Sequence, residues 1–166
     1  MGTTRSRCKT ASSAVYNSHM DTRVPLAPYI LMALALVGLG ITGYLAYFQY
    51  LNLVPSCAIG GCEVVLTHWS SKPFGVPFSY IGLLYYAHML GLAIVLATDP
   101  RGRGVRWAVL AYAGIGLGLS LCFELWQFFV IGAMCIYCAM SAATNLLLTT
   151  TAAWHYRTNR NDDQTS

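Results

Sequence analysis

Charge is what this chain has least of. Only 10% of its 166 residues are Asp, Glu, Lys or Arg, and just 6 of them are acidic. A soluble domain carries about 25% charged residues. With so few, and with 56% apolar residues, water is not the solvent for most of the surface. No stretch resembles a cleavable secretory leader: residues 1–27 are polar, and the first apolar run is too long for a leader's short core, so that run is expected to stay in the bilayer as an anchor. No internal repeat and no low-complexity tract is visible.

What is present is length of apolar chain. Crossing a hydrocarbon layer of roughly 30 Å takes about 20 helical residues, and four segments suffice: residues 28–51, 79–98, 107–129 and 132–154. Lipid offers no partner to a bare backbone, so the spans are expected to be helices packed together. Gly38, Gly40 and Gly43 in the first and Gly114 and Gly118 in the third are candidates for close helix contacts. The expected fold is an all-α integral membrane protein, a four-transmembrane-helix bundle. Residues 1–27 and 155–166 read as tails, and residues 52–78 as the one sizeable loop, marked by Pro55, Gly60, Gly61, Pro73, Gly75 and Pro77.

Basic residues sort by side. Arg5, Arg7, Lys9 and Arg23 precede the first span; Arg101, Arg103 and Arg106 separate the second from the third; Arg157 and Arg160 follow the fourth; Lys72 alone is opposite. The bias of Lys and Arg towards cytoplasmic loops puts both termini in the cytoplasm and the 52–78 loop outside. This topology accounts for the net charge of +4 and leaves no nucleic-acid patch to explain.

Topology also gathers the cysteines. Cys57 and Cys62 lie in the outer loop, where the intervening Gly-Gly turn can bring their α-carbons within disulfide reach. Cys135 and Cys138 form Cys-Ile-Tyr-Cys at the outer end of the fourth span. A spacing of three puts both sulfurs on one helical face. Backbone N–H groups at a helix N-terminus favour the thiolate, which is the exchanging species. The outer compartment is the one that permits disulfides. Four such cysteines can also hold zinc or make purely structural disulfides. Cys8 and Cys122 read as small apolar residues.

Three stretches in this order, with four spans, resemble the bacterial branch of the vitamin K epoxide reductase family. They are Cys57-Ala-Ile-Gly-Gly-Cys62-Glu-Val-Val-Leu; Phe74-Gly-Val-Pro-Phe-Ser-Tyr-Ile-Gly82 with Tyr85 and Tyr86 beyond it; and Glu124-Leu-Trp-Gln-Phe-Phe-Val-Ile-Gly-Ala-Met-Cys135-Ile-Tyr-Cys138. The resemblance covers roughly residues 28–154. It implies a relay in which Cys57 and Cys62 exchange disulfides with a separate thioredoxin-like extracytoplasmic protein, Cys62 exchanges with Cys135, and Cys138 passes the electron pair to a membrane quinone. It implies an enzyme of the inner (cytoplasmic) membrane that supports disulfide formation. Many family members carry Ser or Thr six positions after the second loop cysteine; this chain carries His68, with Thr67 beside it. Asn145 matches a family asparagine.

A quinone needs a flat apolar slot with one or two donors. Phe78, Tyr85, Tyr86 and Tyr137, near the outer ends of the second and fourth spans, are the candidate walls. Glu124 and Gln127 are polar groups within a span, which by default suggests function, and Glu124 is the candidate proton relay.

Overall fold

The computed structural model describes residues 26–53, 55, 61–68, 75–99 and 102–165, the last five by their backbone alone. Residues 1–25, the parts of the outer loop at 54, 56–60 and 69–74 with Cys57 and Lys72, and residues 100, 101 and 166 lie outside the described residues. Every regular element among those described is helical: α1 (Leu26–Tyr50), the short α2 (Cys62–Thr67), α3 (Phe78–Thr98), α4 (Arg103–Trp126), a π-helical turn (Gln127–Ile131) and α5 (Ile136–Thr165).

Local chemistry explains the boundaries. Pro28 sits in the first turn of α1, where its missing N–H is no loss. Pro77 caps α3 with extended backbone, and its carbonyl accepts the Tyr80 N–H at 3.1 Å. The α3–α4 turn is closed by Asp99, whose Oδ1 accepts the Gly102 N–H at 3.0 Å. The Ser79 hydroxyl donates to Gln49 Oε1, tying the start of α3 to the end of α1.

Among the described residues three segments are long and apolar enough to cross a membrane: α1, α3, and α4 together with its π extension, Arg103–Ile131. α5 lies outside that set, because Thr144, Asn145, Thr149, Thr150 and Thr151 dilute its apolar run. It begins four residues later than the sequence suggests and runs on to Thr165, through the stretch whose composition reads as a tail.

α1 packs on α3 and α5, and α4 packs on the same two, so the long helices close a ring. Inside it, Leu31, Tyr86, Met89, Leu96, Val109 and Leu148 are all but fully buried. Ala35, Ala93, Ala113 and Ala152 fill the helix contacts, small side chains that let backbones approach. A Cβ on Gly38 would overlap the Tyr86 ring, and one on Gly116 the Tyr85 ring. Gly40, Gly114 and Gly118 face open space among the described residues. At 100° per residue, Gly116 is on the opposite side of the helix from Gly114 and Gly118, so the expected pair marks the wrong face.

Candidate functional site

At one end of the ring the backbone becomes irregular, and three cysteines meet there. Gly61, just before α2, holds φ at 84°, in the left-handed region that penalises any side chain. A Cβ there would sit 2.6 Å from the Met134 carbonyl oxygen. The loop backbone therefore lies directly on the link between the π-turn and α5. Cys62, Val65 and Cys135 are consequently buried in one cluster, all at 0–1% exposure, against Leu66, Phe123, Ile131, Ile136 and Tyr137.

The π-turn prepares the other side. The Gly132 N–H reaches back to the Gln127 carbonyl at 2.9 Å, and Gly132 leaves the helix with φ at 70°. Gln127 is fully buried, and its Oε1 accepts the Cys135 N–H at 3.1 Å. Cys135 thus stands ahead of α5 and not within it, and its own carbonyl accepts the Ala139 N–H at 3.0 Å. Cys138 follows in the first turn, and its thiol donates to the Cys135 sulfur. That hydrogen bond draws the Cys135 thiol below its ordinary value against the opposing effect of burial, and the Cys138 and Tyr137 N–H groups assist. Glu124, half-buried, acts in the opposite direction through its charge.

Cys62 is disulfide-bonded, while Cys122, Cys135 and Cys138 are free thiols. Cys122 is exposed on α4. A thiol whose ionised form is favoured in this way, sealed beside a disulfide sulfur, is suited to thiol–disulfide exchange. Among the described residues no group of three or more His, Cys, Asp or Glu is placed to hold a metal.

The aromatic residues predicted to line a slot fall in two places. Phe78 packs on Phe123 with ring centroids 4.2 Å apart, and Tyr137 packs on Tyr44 at 5.5 Å; both pairs border the cysteine cluster. Tyr85 and Tyr86 belong instead to the main core. Tyr86 bonds Ser141 Oγ and the Ser141 carbonyl, both at 2.9 Å, and Tyr85 stacks on Tyr112 at 5.0 Å. Phe123 and Tyr44 escape a reading by motif. The available signal is position: Phe123 is the residue before Glu124, and Tyr44 starts the aromatic-rich outer end of α1 with Tyr47, Phe48 and Tyr50.

The stretch that holds this arrangement, from the start of α1 through the threonine-rich part of α5, is the one that known families can be compared with. The family model for the vitamin K epoxide reductase family matches residues 29–153, three-quarters of the sequence with both cysteine pairs inside it, and the chain belongs to that family.

Proposed function

We propose that this chain, a membrane oxidoreductase by its family and its apolar helices, is a quinone-linked thiol oxidoreductase of the family's bacterial branch, working at the extracytoplasmic face of the inner membrane. The observation that carries the reading is the shared burial of Cys62 with Cys135, the latter hydrogen-bonded by Cys138.

The relay begins when a reduced thioredoxin-like protein gives up two thiol hydrogens and leaves with a disulfide, reducing the Cys57–Cys62 pair. The Cys62 thiolate attacks Cys135, breaking the Cys135–Cys138 bond and leaving Cys138 as the thiolate. Cys57 then closes on Cys62 and frees Cys135. When Cys135 and Cys138 rejoin, two electrons and two protons pass to the quinone, which enters from the bilayer as a substrate and leaves as quinol. Phe78 and Tyr137 are the proposed walls beside the sulfurs, Tyr85 and Tyr86 the deeper floor, and Glu124 the group that hands on a proton. The zinc alternative fits less well, because a sulfur already in a disulfide, as in Cys62, is not a thiolate ligand.

α5 is proposed as the fourth span despite its polarity. Thr144, Thr149, Thr150 and Thr151 return their hydroxyl protons to carbonyls of their own helix, at 2.7–2.9 Å. Lipid then meets no unpaired donor. Four spans leave both termini in the cytoplasm, with Arg103 and Arg106 at the start of α4 and Arg157 and Arg160 near the end of α5 on that side.

Purified protein supplied with a reduced C-x-x-C thioredoxin-like protein and a short-chain quinone should convert quinone to quinol, followed by absorbance. Cys135→Ser and Cys138→Ser should each lower the rate by about a thousandfold or more, the scale seen when a covalent participant is removed. Full turnover in either variant sinks the reading. So does labelling that puts Cys57 and Cys138 on opposite faces of the bilayer.

A further inference from the structure

The relay above accounts for the cysteines but leaves a polar side chain at their centre without a task. Gln127 is fully buried, and a buried amide is costly unless its atoms are paired. A glutamine kept only for packing would have both ends satisfied. Here Oε1 is taken by the Cys135 N–H at 3.1 Å, whereas Nε2 has no hydrogen-bond partner among the described residues. The same side chain acts on the Cys138 sulfur. A π-turn places it there, opening with Gln127 itself and closing on Gly132. Such turns are uncommon and concentrate at functional sites.

We propose that Gln127 is the positioning residue of the Cys135–Cys138 pair, fixing the Cys135 backbone through Oε1 and holding an amide N–H ready for the Cys138 sulfur when it leaves as a thiolate. This rests on the exchange reading above. In that step the Cys62–Cys135 bond forms, the Cys135–Cys138 bond breaks, and the electron pair of the broken bond stays on Cys138. A charged sulfur in an apolar cluster needs a donor, and the partnerless Nε2 is positioned to supply one. In the resting pair Cys138 gives its proton to Cys135, and the Gln127 amide stands beside the Cys138 sulfur without a hydrogen bond of normal geometry.

The test uses the full chain with Cys57→Ser, in which Cys62 bonds Cys135 and leaves Cys138 as the departed sulfur. The pH dependence of Cys138 alkylation by a small maleimide is read by mass mapping. Gln127→Leu should raise its midpoint by about one to two pH units, slowing alkylation at neutral pH roughly ten- to hundredfold. The thermal midpoint of the folded protein should stay within a few degrees. Gln127→Met, close in volume and more adaptable, serves if the leucine variant does not fold. An unchanged midpoint in a folded variant overturns the proposal, as does unfolding of both variants, which would make Gln127 a packing residue only. Neither quinone nor thiol partner enters this measurement. A wild-type chain that failed to reduce quinone while the shift was present would therefore end the functional reading and leave this one standing.

Discussion

The two buried clusters of this bundle are built by opposite rules. The main core, from Leu31 to Ala152, is regular α-helix throughout, and its fit comes from small residues and from tyrosines laid over Gly38 and Gly116. The cysteine cluster has a π-turn, two glycines at positive φ and a helix of six residues. A regular helix satisfies its own backbone, which is what lipid demands, but it has no spare N–H to offer a sulfur. Redox chemistry needs donors and two distant chain segments in contact. The irregular backbone provides both, because the Tyr137 and Cys138 N–H groups at the start of α5 turn to the Cys135 sulfur and Gly61 lies on Met134. Stability is concentrated in one region and reactivity in the other, so perturbing either should leave the other largely unchanged.

The largest expected effect is on reactivity alone. With the Cys135 thiol drawn below its ordinary value by the Cys138 hydrogen bond, its thiolate fraction falls about tenfold per pH unit on the acid side of its inflection and levels off above it. Thiol-limited turnover should therefore fall about tenfold per pH unit on that acid side, with the folded fraction nearly unaffected. Cys138→Ala removes the main donor and should raise the inflection towards the ordinary thiol value of about 8.5, read by single-turnover exchange of Cys135 with a small disulfide. An inflection that stays at its parent position in that variant would mean that the hydrogen bond is not its cause.

Next in size is a change in stability alone. Gly38→Val forces a branched side chain into the Tyr86 ring, and overpacking of this kind costs about 1–3 kcal/mol. The thermal midpoint in detergent should drop by several degrees, while exchange per folded molecule stays as in the parent. Parallel loss of both would show that the regions are coupled.

How much of this was readable in advance divides along the same line. Helices and their approximate limits follow from apolar run length, because burial in lipid is dictated by composition. The meeting of Cys62 with Cys135 and Cys138 follows from topology and resemblance. The link ahead of α5 does so only in part: apolar run length places a break between residues 129 and 132, but gives no sign that the helix widens at Gln127 or that the link runs on through Cys135. Gly132 reads as the first residue of the fourth span, and its φ of 70° instead makes it the terminator of the preceding helix. Likewise, Tyr85 and Tyr86 lie close in sequence to Phe78, yet two turns of α3 place them in the other cluster.

Gly61→Ala is a smaller perturbation aimed at the cysteine side. A left-handed alanine costs about 1–2 kcal/mol, and its methyl would press on the Met134 carbonyl. The loop should lift from the link, slowing exchange between Cys62 and Cys135 about tenfold, with the thermal midpoint of the helices unchanged within a few degrees. Quench and alkylation of the intermediate measures this. Unchanged exchange would mean that the cluster does not depend on that backbone contact.

The smallest effect tests where the boundary between the regions runs. Tyr86 fills the core over Gly38, but its hydroxyl reaches Ser141, one turn beyond Cys138. The hydroxyl has a single proton, and the Ser141 carbonyl already receives it, so none is left for a quinone carbonyl. Tyr86→Phe keeps the ring and removes only this bond. Interhelical hydrogen bonds in membranes average about 0.6 kcal/mol, so the thermal midpoint should fall by only a degree or two, with the KM for quinone unchanged. A KM raised about tenfold at constant stability would show that the hydroxyl serves the substrate, and Tyr86 would then belong with the cysteines despite its place in the core.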